Sequence, residues 1–293
     1  MWIALLSRME TIERQPWIAA TAEAVQAPVR NVLTGLGATK DILHGTWLGH
    51  PVHPALTDIP IGAWTMALVF DALDAARGDR AFADAAEVAI GTGLAGALAA
   101  ALAGVADWSE IDGRARSLGL VHGLLNLGAT GLFTASLLAR RRRSRGLGMA
   151  LSAAGAAVAF YSANLGGRLV FGNQIGVDHT ATADQNEPEQ FVAVMNERDL
   201  HENMPAVADA NGVAVMLVRI GGEIHAIADT CTHLGGPLHE GKLDGDTIRC
   251  PWHGSEFCVR DGALRRGPAT FPECVFDVRV HDGQIELRRR RDR

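Results

Sequence analysis

Four residues in the last third of the chain have types and spacing suited to metal chemistry: Cys231, His233, Cys250 and His253. They fall in two boxes, Cys231-Thr232-His233-Leu234-Gly235-Gly236-Pro237 and Cys250-Pro251-Trp252-His253-Gly254-Ser255. Two thiolates and two imidazoles can hold a tetrahedral zinc ion or one iron–sulfur cluster. Three features argue against zinc. The C-x-H spacing is tighter than the usual paired-cysteine spacing of zinc sites. Each box carries one cysteine and one histidine. Both boxes sit in Gly/Pro-rich stretches expected to be loops between strands. The other two of the four cysteines, Cys258 and Cys274, belong to no motif and are expected to be packing thiols. His225 and His239 lie outside the boxes and are expected at the surface.

The elements that must position the boxes are short and β-rich. Runs at 190–195, 213–219, 223–228, 246–250, 256–259, 275–280 and 284–288 read as strands. Asn211-Gly212, Gly221-Gly222, Asp244-Gly245, Asp261-Gly262 and Asp282-Gly283 supply the turns between them. This stretch resembles the Rieske family, whose cluster-binding boxes read C-x-H-x-G and C-P-x-H-G-x-x-F. The resemblance covers about 188–290 and includes Phe257 after the second box. It implies a 2Fe–2S cluster, with Cys231 and Cys250 on one iron and His233 and His253 on the other. It also implies a hydrogen bond from Ser255 to a cluster sulfur. Members that oxidise quinol carry a disulfide between the boxes; here those positions are Gly236 and Trp252, so no such bridge can form. Phe257 stands where those members have a tyrosine donor. Fewer donors to the sulfurs mean a lower potential, in the lower half of the roughly −150 to +300 mV Rieske range. The two histidines are expected at an exposed tip.

The preceding half of the chain is of another kind. Of the 293 residues 48% are hydrophobic but only 5% aromatic, and 33 are glycine. The apolar residues concentrate in four segments, 55–73, 88–106, 117–139 and 146–167. Each approaches the ~20 residues that cross a bilayer, so four transmembrane helices are expected. Their many Gly and Ala residues suit close helix packing in lipid. The fold class is therefore two-domain: an all-α four-helix transmembrane bundle, then an all-β domain of short antiparallel strands. The expected boundaries are 1–54 for an N-terminal segment with an amphipathic, interfacial helix around Trp17–Leu36; 55–167 for the bundle; 168–187 for a linker; 188–290 for the cluster domain. Residues 45–167 resemble a bacterial four-helix membrane family of unknown function, domain of unknown function 2231, which implies a fold and no activity.

Histidines in membrane spans are costly and usually functional. His53 opens the first span; His122 lies in the third, one turn before Asn126. Spans one and three run parallel, so both imidazoles sit at one membrane end. They could ligate a haem b iron axially, bind a quinone headgroup, or cap helix ends. Asp41, His44 and His50 echo the mononuclear-iron triad of Rieske oxygenases, but with the wrong spacing and without the catalytic domain.

The net charge of −6 gives no sign of nucleic acid, and the arginine-rich runs at 140–145 and 288–293 read as a membrane-flanking loop and a solubilising tail. The positive-inside rule puts loop 140–145 in the cytoplasm, and both termini outside. Cluster assembly inside the cell and the lack of a secretory or paired-arginine signal argue the reverse, so the side stays open. Gly91-x-Gly93-x-x-Gly96 matches a dinucleotide fingerprint only as a string; no strand precedes it. No self-contained catalytic site is visible. The expected function is a multi-pass carrier in a bacterial-type cytoplasmic membrane, passing single electrons between unnamed donor and acceptor proteins. The alternatives are a membrane redox or iron–sulfur sensor, or the electron-transfer component of an oxygenase system.

Overall fold

A computed structural model of the chain describes residues 15–181 and 187–290. Contacts divide these into two units. One reaches Gly37 and resumes over Val52–Ile175; the other joins Ala38–Pro51 to the chain from Gly176 onward. The 1–54 stretch thus splits between the units.

The first unit holds α1 (Pro16–Thr34), α3 (Val52–Arg77), α4 (Arg80–Trp108), α5 (Gly113–Arg141) and α6 (Arg145–Gly167); α2 (Ala38–His44) belongs to the other. Pro16 starts α1 where a missing N–H is harmless. Pro28 lies inside the same helix. α3 to α6 are each long and apolar enough to cross a membrane, α6 together with the turn that extends it to Gly172. They exceed the apolar runs at both ends because flanking polar residues complete the turns. Asp79 caps α4, accepting from the Ala81 N–H at 2.9 Å.

Small residues set the packing. Trp64 on α3 stacks on Phe133 of α5 with centroids 4.2 Å apart. Gly93 of α4 backs the same indole, and a Cβ there would overlap the Trp64 ring. Gly93→Leu is therefore expected to destabilise the bundle by about 1–3 kcal/mol through overpacking, read as a lowered melting temperature in detergent.

The second unit is all β. Its strands are β1 (Val192–Asn196), β2 (Ala206–Ala210), β3 (Val213–Ile220), β4 (Glu223–Ala228), β5 (Lys242–Asp244), β6 (Thr247–Arg249), β7 (Glu256–Cys258), β8 (Leu264–Arg266), β9 (Phe276–His281) and β10 (Gln284–Arg289). The sheets have the orders β1-β10-β9, β2-β3-β4 and β5-β6-β7-β8. All ladders are antiparallel. Asn211-Gly212 and Asp282-Gly283 have positive φ at both positions, as tight hairpin turns require. β3 is buried on both faces. Val215 and Leu217 face one core with Phe276, Ile285 and Leu287; Met216 and Val218 face another with Leu238, Ile248 and Phe257. The second core contains Cys231 and Cys250, so the two boxes rest on packed hydrophobic side chains.

Candidate metal centre

Two loops carry the boxes, one after β4 and one between β6 and β7. They repeat one hydrogen-bond pattern. Cys231 N–H donates to Gly236 O at 2.8 Å, and Gly235 N–H returns to Cys231 O at 2.9 Å. Cys250 N–H donates to Ser255 O at 2.8 Å, and Gly254 N–H returns to Cys250 O at 3.2 Å. Gly235 and Gly254 hold matching left-handed conformations, φ 78° and 77°, which a side chain would strain. Both cysteines are buried in these matching turns.

The donors sort into two pairs. The Cys231 and Cys250 thiols interact with one another. That interaction, with desolvation, pushes Cys231 up; it draws Cys250 down to about 6. The His233 and His253 rings meet edge to face with centroids 5.0 Å apart. The buried Nδ1 of His233 has no hydrogen-bond partner among the described residues, as expected of an atom reserved for a metal. Burial holds the His233 ring well below the ordinary imidazole range, in the neutral form that ligates. A thiol pair beside an imidazole pair is the donor set of a two-iron cluster with mixed ligands.

A third loop, between β8 and β9, locks the two boxes. Ser255 is fully buried, and its Oγ accepts from Ala269 N–H at 3.0 Å. Its own hydroxyl hydrogen is thus available to a second acceptor. Thr232 donates from Oγ1 to Phe271 O and from N–H to Glu273 Oε1, both at 2.9 Å. Glu273 is fully buried, and desolvation raises its pKa well above the carboxylate range. Nothing in its local sequence marked it out. His239, left at the surface by the sequence reading, is half-buried and bonds Asp229 Oδ2 at 2.8 Å. Burial lowers the pKa of His225. Cys258 and Cys274 are buried packing thiols.

A family model for the Rieske [2Fe-2S] domain matches residues 190–280. The ferredoxin CarAc of Metapseudomonas resinovorans is 45% identical over 75 residues, 25% of this chain and 70% of that protein. The chain belongs to the Rieske family. The anthranilate 1,2-dioxygenase ferredoxin subunit of Burkholderia cepacia is 35% identical, over 29% of this chain and 80% of its own length. Human apoptosis-inducing factor 3 is 32% identical over 33% of this chain, which spans 16% of that protein. Among solved structures, the ferredoxin of carbazole 1,9a-dioxygenase from Nocardioides aromaticivorans IC177 aligns over 34% of this chain and 99% of its own, with 31% identity and TM-score 0.33. Residues 49–179 match a second model, described as a predicted membrane protein of the DUF2231 family. The C-terminal domain is thus a Rieske electron-carrier domain whose cofactor is a 2Fe–2S cluster.

The comparisons do not support a haem at the membrane histidines, and both rings bond neighbouring helices. His122 Nδ1 lies 2.9 Å from Ser162 O, and Asn126 Nδ2 lies 3.1 Å from His122 Nε2. With the proton on Nδ1, Nε2 accepts from Asn126. His53 Nδ1 bonds Ala100 O at 2.8 Å. Both rings tie neighbouring helices together through backbone carbonyls that short Ser and Ala side chains leave accessible. Gly104 and Gly166 give them room, since a Cβ would lie 2.8 Å from His53 and 3.1 Å from His122.

Proposed function

We propose that the chain is a membrane-anchored one-electron carrier, with Cys231, His233, Cys250 and His253 as the cluster ligands. The repeated loop geometry carries this reading: it gathers a thiol pair and an imidazole pair, and keeps the buried His233 Nδ1 free of hydrogen bonds. The cluster supplies the redox chemistry; the protein orients the ligands, excludes water from the thiols and sets the field around them. Ser255 is the proposed hydroxyl donor to a cluster sulfur. Phe257 is fully buried beside both cysteines and has no donor to offer.

The four apolar helices and the membrane-family match support an anchor in a bilayer. Electron partners dock where the ligand edge reaches solvent. Trp252 is 57% exposed and stands edge-on to His253 at 6.4 Å, a rigid apolar contact beside a ligand. Relatives named as dioxygenase ferredoxin subunits favour an oxygenase component as the acceptor.

Low-temperature EPR of the reduced, purified protein tests the cluster. The signal is expected in the parent and absent from Cys250→Ser. Potentiometric titration is expected to place the midpoint in the lower half of ~−150 to +300 mV; a value near the top would overturn the hydrogen-bond argument. Trp252→Ala is expected to slow reduction of an acceptor while leaving the EPR signal intact.

A further inference from the structure

Residues Ala38–Pro51 interrupt the helical unit in sequence, yet fold with the cluster domain. Residues 38–48 precede both matched segments, 49–179 and 190–280. The segment is bonded to the third loop. Asp41 Oδ1 accepts from Gly267 N–H at 3.1 Å. Thr46 closes over the same glycine, where a Cβ would lie 2.9 Å from Thr46 Cγ2. Thr46 is bound back to Asp41, its N–H and Oγ1 donating to Asp41 O at 3.3 and 3.2 Å. The Asp41 carboxylate, part of the echo of an iron triad in the sequence, thus serves a backbone donor.

Gly267 is buried, as are Pro268, Ala269 and Thr270 after it. Its N–H needs an acceptor there, because a buried donor that loses its partner carries the full cost of its lost hydration. Two residues on, Ala269 N–H donates to Ser255 Oγ at 3.0 Å. Ser255 is fully buried, so that bond limits where its hydroxyl hydrogen can point. Further along the same loop, Phe271 O accepts from Thr232 Oγ1 at 2.9 Å. Hydrogen bonds therefore lead from Asp41, through one short loop, to both ligand boxes.

We propose that Asp41 is a positioning residue for the cluster: its carboxylate fixes the start of the third loop, and the loop aims the Ser255 hydroxyl. The inference rests on the ligand assignment and on Ser255 as the sulfur donor, both proposed above. Asp41 acts by keeping Ala269 N–H against Ser255 Oγ, which leaves the hydroxyl hydrogen for a cluster sulfur. Reduction brings in one electron, and a hydrogen bond to the sulfur favours the more negative state. Without the Gly267 bond the loop start loses its anchor, the hydroxyl is free to turn away, and the potential falls. The segment that joins α1 to α3 thereby forms part of the cluster site.

The test is potentiometric titration of the full chain in detergent, with dithionite as reductant and EPR as readout. Asp41→Asn and Asp41→Ala lose the same charge, but only Asp41→Asn keeps an oxygen that accepts from Gly267 N–H. At one applied potential Asp41→Ala is expected to be about threefold more oxidised than Asp41→Asn, a midpoint about 30 mV lower at 59 mV per tenfold. Its Gly267 and Ala269 amides are expected to exchange with solvent faster. In a Ser255→Ala background the two Asp41 variants are expected to titrate alike, because the hydroxyl that they aim differently is gone. Thr46→Ala removes one bond to Asp41 O and the methyl over Gly267; it is expected to lower the midpoint by less, and it takes the place of Asp41→Ala if that variant holds no cluster. Equal midpoints for Asp41→Ala and Asp41→Asn overturn the proposal. So does a difference that persists without Ser255, a signal lost from Asp41→Asn, or an unmoved midpoint in Thr46→Ala where it is the substitute. Absence of the signal from the parent overturns the ligand assignment instead.

Discussion

Gly236→Ala is expected to strip the protein of its cluster without touching a ligand. A Cβ at this position would lie 2.8 Å from Cys250 Sγ and 3.1 Å from the Trp252 ring. Gly236 O also accepts from Cys231 N–H at 2.8 Å, so the residue cannot withdraw without loosening the first box. The added methyl must push either a ligand sulfur or an indole held edge-on to His253. Overpacking of this kind costs about 1–3 kcal/mol, which corresponds to a loss of about fivefold to more than a hundredfold in cluster retention. Iron content and EPR intensity measured together should fall in step. Gly236→Ala/Trp252→Ala relieves one of the two contacts and is expected to regain part of the iron. Full loading of the single variant would show that the boxes yield more easily than their hydrogen bonds imply. The same contact explains why Gly and Trp occur together here: a side chain at 236 has room only if the one at 252 is small.

The proposed ligands were legible because their chemistry is local. C-x-H and C-P-x-H-G specify both the donors and the turns that present them, and Gly235 and Gly254 adopt the left-handed backbone those turns need. Strands β3, β4, β9 and β10 were legible for a similar reason: long β-branched runs end in tight turns. β2, β5 and β8 were not, because Ala206–Ala210 is alanine-rich and the other two are three residues long and take their order from neighbours. The surroundings of the cluster were also hidden. Glu273 lies 41 positions from Thr232, and Asp41 lies 226 from Gly267. No periodicity or spacing links such pairs; only the folded chain brings them together. His53 and His122 show another kind of hidden surrounding. Ionisable residues in apolar helices suggested a ligand site, and the folded chain adds that Ala100 O meets His53 Nδ1 while Ser162 O and Asn126 meet the two nitrogens of His122.

The largest loss of stability is expected from Asp71→Ala, in the helical unit. The arginine run from 140 to 145 read as a loop, but α5 continues through Arg141, and Arg140 points inward. Its side chain is 1% exposed and grips Asp71 of α3 with two bonds, Nη1 to Oδ1 at 2.7 Å and Nη2 to Oδ2 at 2.6 Å. Nε donates to Ser136 Oγ at 3.2 Å and Nη2 to Ser152 Oγ at 3.1 Å, so three helices share one guanidinium. Gly148 leaves the space, since a Cβ would lie 2.6 Å from Arg140 Cγ. A paired, fully hydrogen-bonded charge is tolerable in such a place; an orphaned one is not. Removing the carboxylate should destabilise the bundle by about 3–5 kcal/mol. Asp71→Ala/Arg140→Leu, which removes both charges, should recover most of that loss. Denaturant titration in micelles can separate the two variants. A single variant as stable as the parent would mean that water reaches Arg140 and that the pair is a surface contact. The expected result instead makes Arg140 a tie between α3, α5 and α6, so only Arg141, Arg142, Arg143 and Arg145 of that run remain outside the Asp71 network. Arg145 is also engaged, through Asp74 of α3 at 2.7 Å. The basic run is therefore partly an internal clamp, and its length overstates the free charge that it offers to orient the helices.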